Sequence, residues 1–181
     1  MINKISVIGL GSMGYGIAES LIRSGYTVYG QDKNLIQQKK LMEAGGAKEN
    51  ISFNDLDAVI IVVLNEKQTR EIIFGKDGIA NKLREGTLIM VCTTVSPNFA
   101  KEMSLRSEDS GLLYLDAPIS GGALKSSEGN LSYMISGSKK ACEAAKPILD
   151  ATAETVFEFG ETPGSGSAMK AVNQMLAGVH I

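Results

Sequence analysis

The spacing of apolar positions changes repeatedly along the chain, and each change predicts an element. Ile5 to Ile8 is a short apolar run that predicts a strand. From Ser12 to Ser24 the apolar residues Ile17, Leu21 and Ile22 recur at helical spacing, and Gly25 stands where a helix stops. Thr27 to Gly30 predicts a second strand. Asn34 to Ala44, with Leu35, Ile36, Leu41 and Met42 toward a sheet, predicts a helix ended by Gly45-Gly46. Ala58 to Leu64 is apolar at every position, as a parallel strand buried on both faces must be. Strands at Thr87 to Val91 and Leu112 to Leu115 are separated by a helix that follows Pro97. Leu131 to Ser136 and Thr155 to Phe159 predict shorter strands around a helix from Lys139 to Ala151. Ser165 to Ile181 predicts a last helix with Met169, Val172, Leu176 and Val179 along one stripe. That stripe needs a partner, and no stop signal follows it, so the chain reads as ending inside an element.

This alternation predicts an α/β fold with a mostly parallel sheet. No internal repeat interrupts it, and the only linker-like stretch is Glu161 to Ser167. The expected division is therefore residues 1–163 as one domain and 164–181 as the start of a helix leading out of it. Composition narrows the function classes. A hydrophobic fraction of 44% with 21% charged residues suits a protein that buries a real core. A net charge of −2 with no basic run argues against a nucleic-acid surface. Two cysteines, Cys92 and Cys142, suggest a reduced interior, and one histidine, His180, with no C-x-x-C pair leaves too little for a metal site. The first strand begins almost at once, so no signal peptide is expected. The longest apolar run is far shorter than the roughly 20 residues of a membrane span. A cytoplasmic protein with no membrane partner is the expectation.

Three constellations carry candidate chemistry. The first is Gly9-Leu10-Gly11-Ser12-Met13-Gly14, a G-x-G-x-x-G run lying directly after a strand and before a helix. Strand, glycine turn, helix, second strand and a following acid are the order of a dinucleotide-binding βαβ unit. Gly9 permits the tight turn, Gly11 lets the backbone approach a pyrophosphate, and Gly14 lets helix and strand pack closely. Asp32 follows Gly14 by 18 residues, near the roughly 20 expected of the acid that binds a ribose 2′-hydroxyl. A carboxylate there repels a 2′-phosphate and favours NAD over NADP, although Lys33 next to it offsets part of that repulsion. The second is Asp116-Ala117-Pro118-Ile119-Ser120-Gly121-Gly122 at a strand end, where Ser120 and two glycines offer a hydroxyl and open backbone N–H groups to a carboxylate. The third is Gly164 to Gln174. Its Lys170, Asn173, Gln174 and Ala177 form a stripe opposite the apolar one. A lysine whose pKa is lowered by partial burial can take the proton of a substrate hydroxyl. Thr94 and Leu64-Asn65, at two further strand ends, are placed to reach a ligand. Cys92 has no neighbouring base and reads as a buried thiol, and His180 as a structural or surface residue.

Taken together, these motifs resemble the β-hydroxyacid dehydrogenase family, with Ile119 where valine is more usual. The resemblance implies a Rossmann-type doubly wound fold and NAD(P)-dependent oxidation of the hydroxyl of a small hydroxycarboxylate, with NAD the expected cofactor and no metal. Lys170 would be the general acid/base and Asn173 would position the substrate. Ser120, Gly121, Gly122 and Gln174 would bind the substrate. Gly9, Leu10, Gly11, Ser12, Met13, Gly14, Asp32, Leu64, Asn65 and Thr94 would contact the cofactor. Met134 to Ser138 and Gln174 to Ile181 look most like the branch acting on L-threonate, whereas Asn173 matches the family at large. Members acting on 3-hydroxyisobutyrate, and reductases of tartronate semialdehyde that use NADP, share the same motifs. Family members also carry an all-helical C-terminal domain that this sequence lacks. That domain implies that a full-length protein forms a homodimer or homotetramer through it. Two other classes remain: a non-catalytic NAD-sensing module, which fits the first constellation alone, and a dimerisation or interaction unit, with which the apolar stripe of the last helix is compatible. Neither needs the second and third.

Overall fold

The computed structural model describes residues 2–48 and 51–179. His180, and the side chains of Ala177 and Val179, lie outside the described residues. The order is β1 (Lys4–Ile8), α1 (Ser12–Arg23), β2 (Thr27–Gln31), α2 (Leu35–Glu43), β3 (Ala58–Ile61), α3 (Glu66–Phe74), β4 (Leu88–Val91), α4 (Pro97–Asp109), β5 (Leu113–Asp116), β6 (Ile119–Ser120), α5 (Gly122–Glu128), β7 (Leu131–Gly137), α6 (Lys139–Thr152), β8 (Ala153–Glu158) and α7 (Ser165–Val179). Strands β1 to β5 form a parallel sheet in the order β2-β1-β3-β4-β5. β7 continues it antiparallel to β5, and β7 also pairs with β6 and, in parallel, with β8. The expected doubly wound α/β class with a mostly parallel sheet is what the chain adopts.

The central strands are apolar throughout because each supplies two cores. Alternate residues point to opposite faces. Ile5, Val7, Ala58, Ile60, Leu88 and Met90 pack with Ile17 and Leu21 of α1 and Ile148 of α6. Val59, Ile61, Ile89 and Val91 pack on the other face with Ile73 of α3 and Phe99 and Met103 of α4. The order reverses between β1 and β3, since the chain leaves β1 toward β2 on one side and returns to β3 on the other. In open α/β sheets this switch point, beyond the strands' carboxyl ends, is where a crevice opens.

Several expectations needed correction. The apolar run from Ala58 outlasts its strand: β3 ends at Ile61, level with the end of β1 at Ile8, and Leu64 is 86% exposed. A parallel strand ends where its neighbours end, whatever the following side chains. Helices α3 and α5 and the two-residue β6 were not anticipated. Asn65 caps α3 by accepting from Gln68 N–H at 3.0 Å, an N-x-x-Q signal for a helix start.

Candidate functional site

The glycine turn is built as its spacing requires. Gly9 has φ +95°, and a Cβ there would lie 2.1 Å from the Val62 carbonyl oxygen. A Cβ on Gly14 would lie 1.9 Å from the Gly9 carbonyl oxygen. Gly11 differs from both. It is the extended N-cap residue of α1 (φ −65°, ψ −176°), it has no side chain to cap the helix, and a Cβ on it would meet nothing within 4 Å. The first-turn N–H groups of α1 therefore face open space at the positive end of a helix, the arrangement that receives a phosphate. Ser12 is exposed and Met13 half-buried beside it, whereas the Leu10 side chain is buried in the core. These residues suit the pyrophosphate of a dinucleotide.

Asp32 sits at the end of β2 and grips the turn. One carboxylate oxygen accepts from Leu10 N–H at 2.6 Å and the other from Asn34 N–H at 2.7 Å. Gln38 holds the Asp32 carbonyl at 2.5 Å. Each oxygen keeps a second lone pair that a ribose hydroxyl can use. Leu64, Asn65 and Thr94 are exposed at the neighbouring strand ends. Their loops are tied together, since Val63 N–H donates to Thr93 Oγ1 at 3.1 Å and Ser96 N–H to Glu66 at 2.7 Å. The Asn65 side-chain oxygen is engaged in the α3 cap, which leaves its NH₂ available.

The second constellation lies beside the first. Gly121 (φ +138°) and Gly122 (φ +77°) carry the chain from β6 into α5, which packs against α1. Contact is close because Gly16 has no Cβ: one there would meet Ser126 Oγ and Ser127 N at 2.6 Å. Ser126 Oγ also donates to the Met13 carbonyl at 2.6 Å. A cleft of about 590 Å³ is lined by Gly11 and Ser12 on one side and by Ala123 and Leu124 on another. Ser120 is half-buried, and both glycines are exposed, Gly122 with nothing within 4 Å of its Cβ position. Gly16 and Ser126 were missed by sequence reasoning, although a glycine two positions beyond the fingerprint is a legible packing notch.

The third constellation is where the structure adds most. α7 packs on β7, β5 and α4, and it buries Gly166, Ser167 and Lys170. Lys170 is only 8% exposed and makes no ion pair among the described residues. Burial lowers the pKa of its amine below the usual lysine value of 10.5. Asn173 and Gln174 are exposed, so the lysine is fixed while the amides stay open. The stripe of Met169, Val172 and Leu176 is 38–59% exposed, so this helix turns its polar small-residue face inward. Asp116, fully buried at the end of β5, meets the start of the helix. It accepts from Gly164 N–H and Ser167 N–H (both 2.9 Å), from Ser167 Oγ (2.6 Å) and from Ser136 Oγ (3.0 Å). Ser136 Oγ in turn accepts from Gly166 N–H at 3.0 Å. Gly164 also rests against Pro97, with its Cβ position 2.6 Å from that carbonyl oxygen. The Lys170 helix therefore starts beside the loop that carries Thr94, on the same sheet edge as the glycine turn. Cys92 is buried, and burial pushes its thiol pKa far up, which agrees with an inert thiol.

A family model described as the NAD binding domain of 6-phosphogluconate dehydrogenase matches residues 4–160. The chain belongs to this family, as an NAD-binding domain of the β-hydroxyacid dehydrogenase type. L-threonate dehydrogenase of Haemophilus influenzae is 47% identical over 98% of this chain and 60% of its own length. The NAD-dependent L-serine dehydrogenase of Pseudomonas aeruginosa is 32% identical over 97% of this chain and 60% of its own. The crystal structure of a 3-hydroxyisobutyrate dehydrogenase from Salmonella typhimurium superposes with a TM-score of 0.93 at 38% identity, covering 98% of this chain and 63% of that one. The chain thus spans about three fifths of the length of these relatives. Among the described residues no helix is long and apolar enough to cross a membrane.

Proposed function

We propose that the chain is the cofactor-binding part of an NAD-dependent dehydrogenase that oxidises the hydroxyl of a small hydroxycarboxylate. L-threonate is the first candidate substrate and 3-hydroxyisobutyrate the second. The observation that carries this reading is Lys170, a buried lysine with no ion-pair partner among the described residues, held on the same sheet edge as an uncapped glycine turn. Bound NAD supplies the hydride acceptor. Gly9, Gly11 and Gly14 shape the turn that holds the pyrophosphate, with Leu10, Ser12 and Met13 alongside. Asp32 takes the adenosine ribose, and Leu64, Asn65 and Thr94 border the rest of the cofactor. Ser120, Gly121 and Gly122 hold the substrate carboxylate, while Asn173 and Gln174 orient its hydroxyl. Neutral Lys170 Nζ accepts the hydroxyl proton as the C–H hydride leaves, so the alcohol becomes a carbonyl. In the reverse direction the protonated amine returns that proton.

Residues 1–163 would form the cofactor domain, and 164–181 would begin a helix into the rest of a longer protein that oligomerises through that further part. Free Cys92 and Cys142 suit a reducing compartment such as the cytoplasm. The test is NAD(P)H formation by the full-length protein with L-threonate, 3-hydroxyisobutyrate, D-glycerate and 4-hydroxybutyrate, alongside Lys170→Ala. The expected result is NAD-dependent turnover that Lys170→Ala abolishes while NAD still binds. Tight NAD binding with no turnover on any hydroxyacid would favour a sensing module instead.

A further inference from the structure

We infer that Asp116 is a positioning residue: with Ser136 it clamps the first turn of α7, and so sets Lys170 in register with the Ser120-Gly121-Gly122 loop that leaves the same strand end. The inference rests on the proposed role of Lys170, and it concerns residues to which the sequence motifs assigned none.

The argument begins with burial. A fully buried carboxylate is costly unless its lone pairs are filled, and Asp116 is filled by four donors. Three of these come from the first turn of α7 and its approach: Gly164 N–H, Ser167 N–H and Ser167 Oγ. The fourth, Ser136 Oγ, passes the grip on by accepting from Gly166 N–H. Together they hold the Gly164, Gly166 and Ser167 backbone N–H groups and the Ser167 side chain at the start of a helix whose first N–H groups would otherwise lack partners. Close approach is built in as well. A Cβ on Gly166 would stand 2.3 Å from the Met134 carbonyl oxygen, so the helix rests on β7 backbone to backbone. Ser167 and Lys170 are i and i+3 on one helix face, both buried, with Lys170 about 4.5 Å further along the axis. Rotating or sliding the first turn therefore carries the amine with it.

Asp116 also opens the loop to the proposed substrate cradle. Three residues separate it from Ser120, and two fixed points hold that span: β6 pairs with β7 at Ile119–Tyr133 and Ser120–Ser132, and Met134 N–H donates to the Pro118 carbonyl at 3.0 Å. One side chain thus references the proton-transferring group and the carboxylate cradle to the same rigid strand end. Misplacement of a reacting group by about 1 Å can cost on the order of a hundred-fold in rate, so such a reference acts on kcat.

The experiment uses the full-length protein and compares Ser136→Ala, Asp116→Ala and Asp116→Asn with Lys170→Ala. Ser136→Ala removes one link of the clamp and leaves Asp116 in place, so it serves if Asp116→Ala does not fold. Asparagine keeps one oxygen for the three donors on Oδ2 and presents NH₂ to the Ser167 hydroxyl, which can accept. The expected pattern is a loss in kcat on the order of ten-fold for Ser136→Ala, more for Asp116→Ala, and substantial recovery in Asp116→Asn. NAD affinity and substrate KM stay within about two-fold, because no ligand contact is removed. The rising limb of the kcat–pH profile moves to higher pH, since a loosened helix hydrates the Lys170 amine. Titration of ¹³C-methylated Lys170 by NMR, without ligand, moves the same way. Unchanged kcat and limb in variants that merely melt earlier would reduce the clamp to a stability element and overturn the inference alone. Full turnover by Lys170→Ala would overturn the proposed mechanism, and this inference with it.

Discussion

Two glycines three residues apart make opposite predictions, and the pair isolates the cofactor site from the fold. Gly14→Ala would place a methyl 1.9 Å from the Gly9 carbonyl oxygen and 3.2 Å from Val62 Cβ, so α1 must move off the turn. Forcing a methyl into packed backbone costs about 3 kcal/mol at the upper end of the usual range, and the better helix propensity of alanine returns about 1 kcal/mol. The net loss of about 2 kcal/mol lowers Tm by about 4–8 °C in a domain of this size. Gly11→Ala meets nothing within 4 Å and needs no unusual φ, so its only cost to the fold is the N-cap preference, at most about 1 kcal/mol. Yet its methyl would occupy the open space that the proposed function gives to the pyrophosphate. A methyl forced against a bound group costs about 1–3 kcal/mol, which is roughly 5–150-fold in affinity. The assay is thermal melting of each variant with and without NAD, paired with titration calorimetry. Wild type gains Tm with NAD by mass action. Gly11→Ala should melt within about 3 °C of wild type without ligand and gain little from NAD. If Gly11→Ala binds NAD within two-fold of wild type, or loses as much stability as Gly14→Ala, the open space at Gly11 is not the pyrophosphate site.

The remaining predictions test other parts of the site. Asp32→Ala removes the grip on Leu10 N–H and the carboxylate that repels a 2′-phosphate; NAD affinity should fall on the order of ten-fold and the NAD/NADP preference should collapse, measured as Kd for each. Lys170 makes stability pH-dependent. Its folded pKa is below 10.5, so between the folded and unfolded values the unfolded chain binds the extra proton, and stability rises with pH through that window. Below it the desolvation penalty is paid in full, so Lys170→Met should be more stable than wild type at neutral pH and lose its advantage at alkaline pH; urea midpoints across pH check this. Under native conditions a thiol reagent should label half-buried Cys142 and spare Cys92, whose thiol burial both shields and holds protonated; peptide mass spectrometry separates the two.

Sheet and glycine turn were legible because their signals are local and steric. Ala58 to Ile61 reads as a central strand because four consecutive apolar residues suit a strand buried on both faces, and Leu88 to Val91 repeats the pattern. Gly9 and Gly14 each owe their identity to one carbonyl that a Cβ would strike, whereas nothing in the fold around Gly11 demands a glycine. Asp32 was legible as an acid at the right distance, but its two backbone partners were not, because they depend on how the β2 end meets the β1 turn. Asp116 was hidden differently. An aspartate after Leu113-Tyr114-Leu115 is a buried acid in plain view, yet its partners Ser136, Gly164 and Ser167 lie 20 to 51 residues away. No period along the chain encodes such a meeting.

α7 shows the same limit in its sharpest form. Periodicity divides Ser165 to Gln174 into an apolar stripe and a polar one, and the general rule sends the apolar stripe inward. Distance decides otherwise. The helix can reach the Asp116 carboxylate only if Gly166 passes within contact of the Met134 carbonyl, and only the small-residue face permits that approach. Turning Met169 or Val172 inward would hold the helix off the strand end by the depth of a side chain and break all three of its bonds to Asp116. A buried hydrogen-bonded anchor thus outweighs an apolar stripe on this helix. The consequence is a lysine taken out of water on the sheet edge that carries the glycine turn, with a stripe of exposed apolar residues on the opposite face.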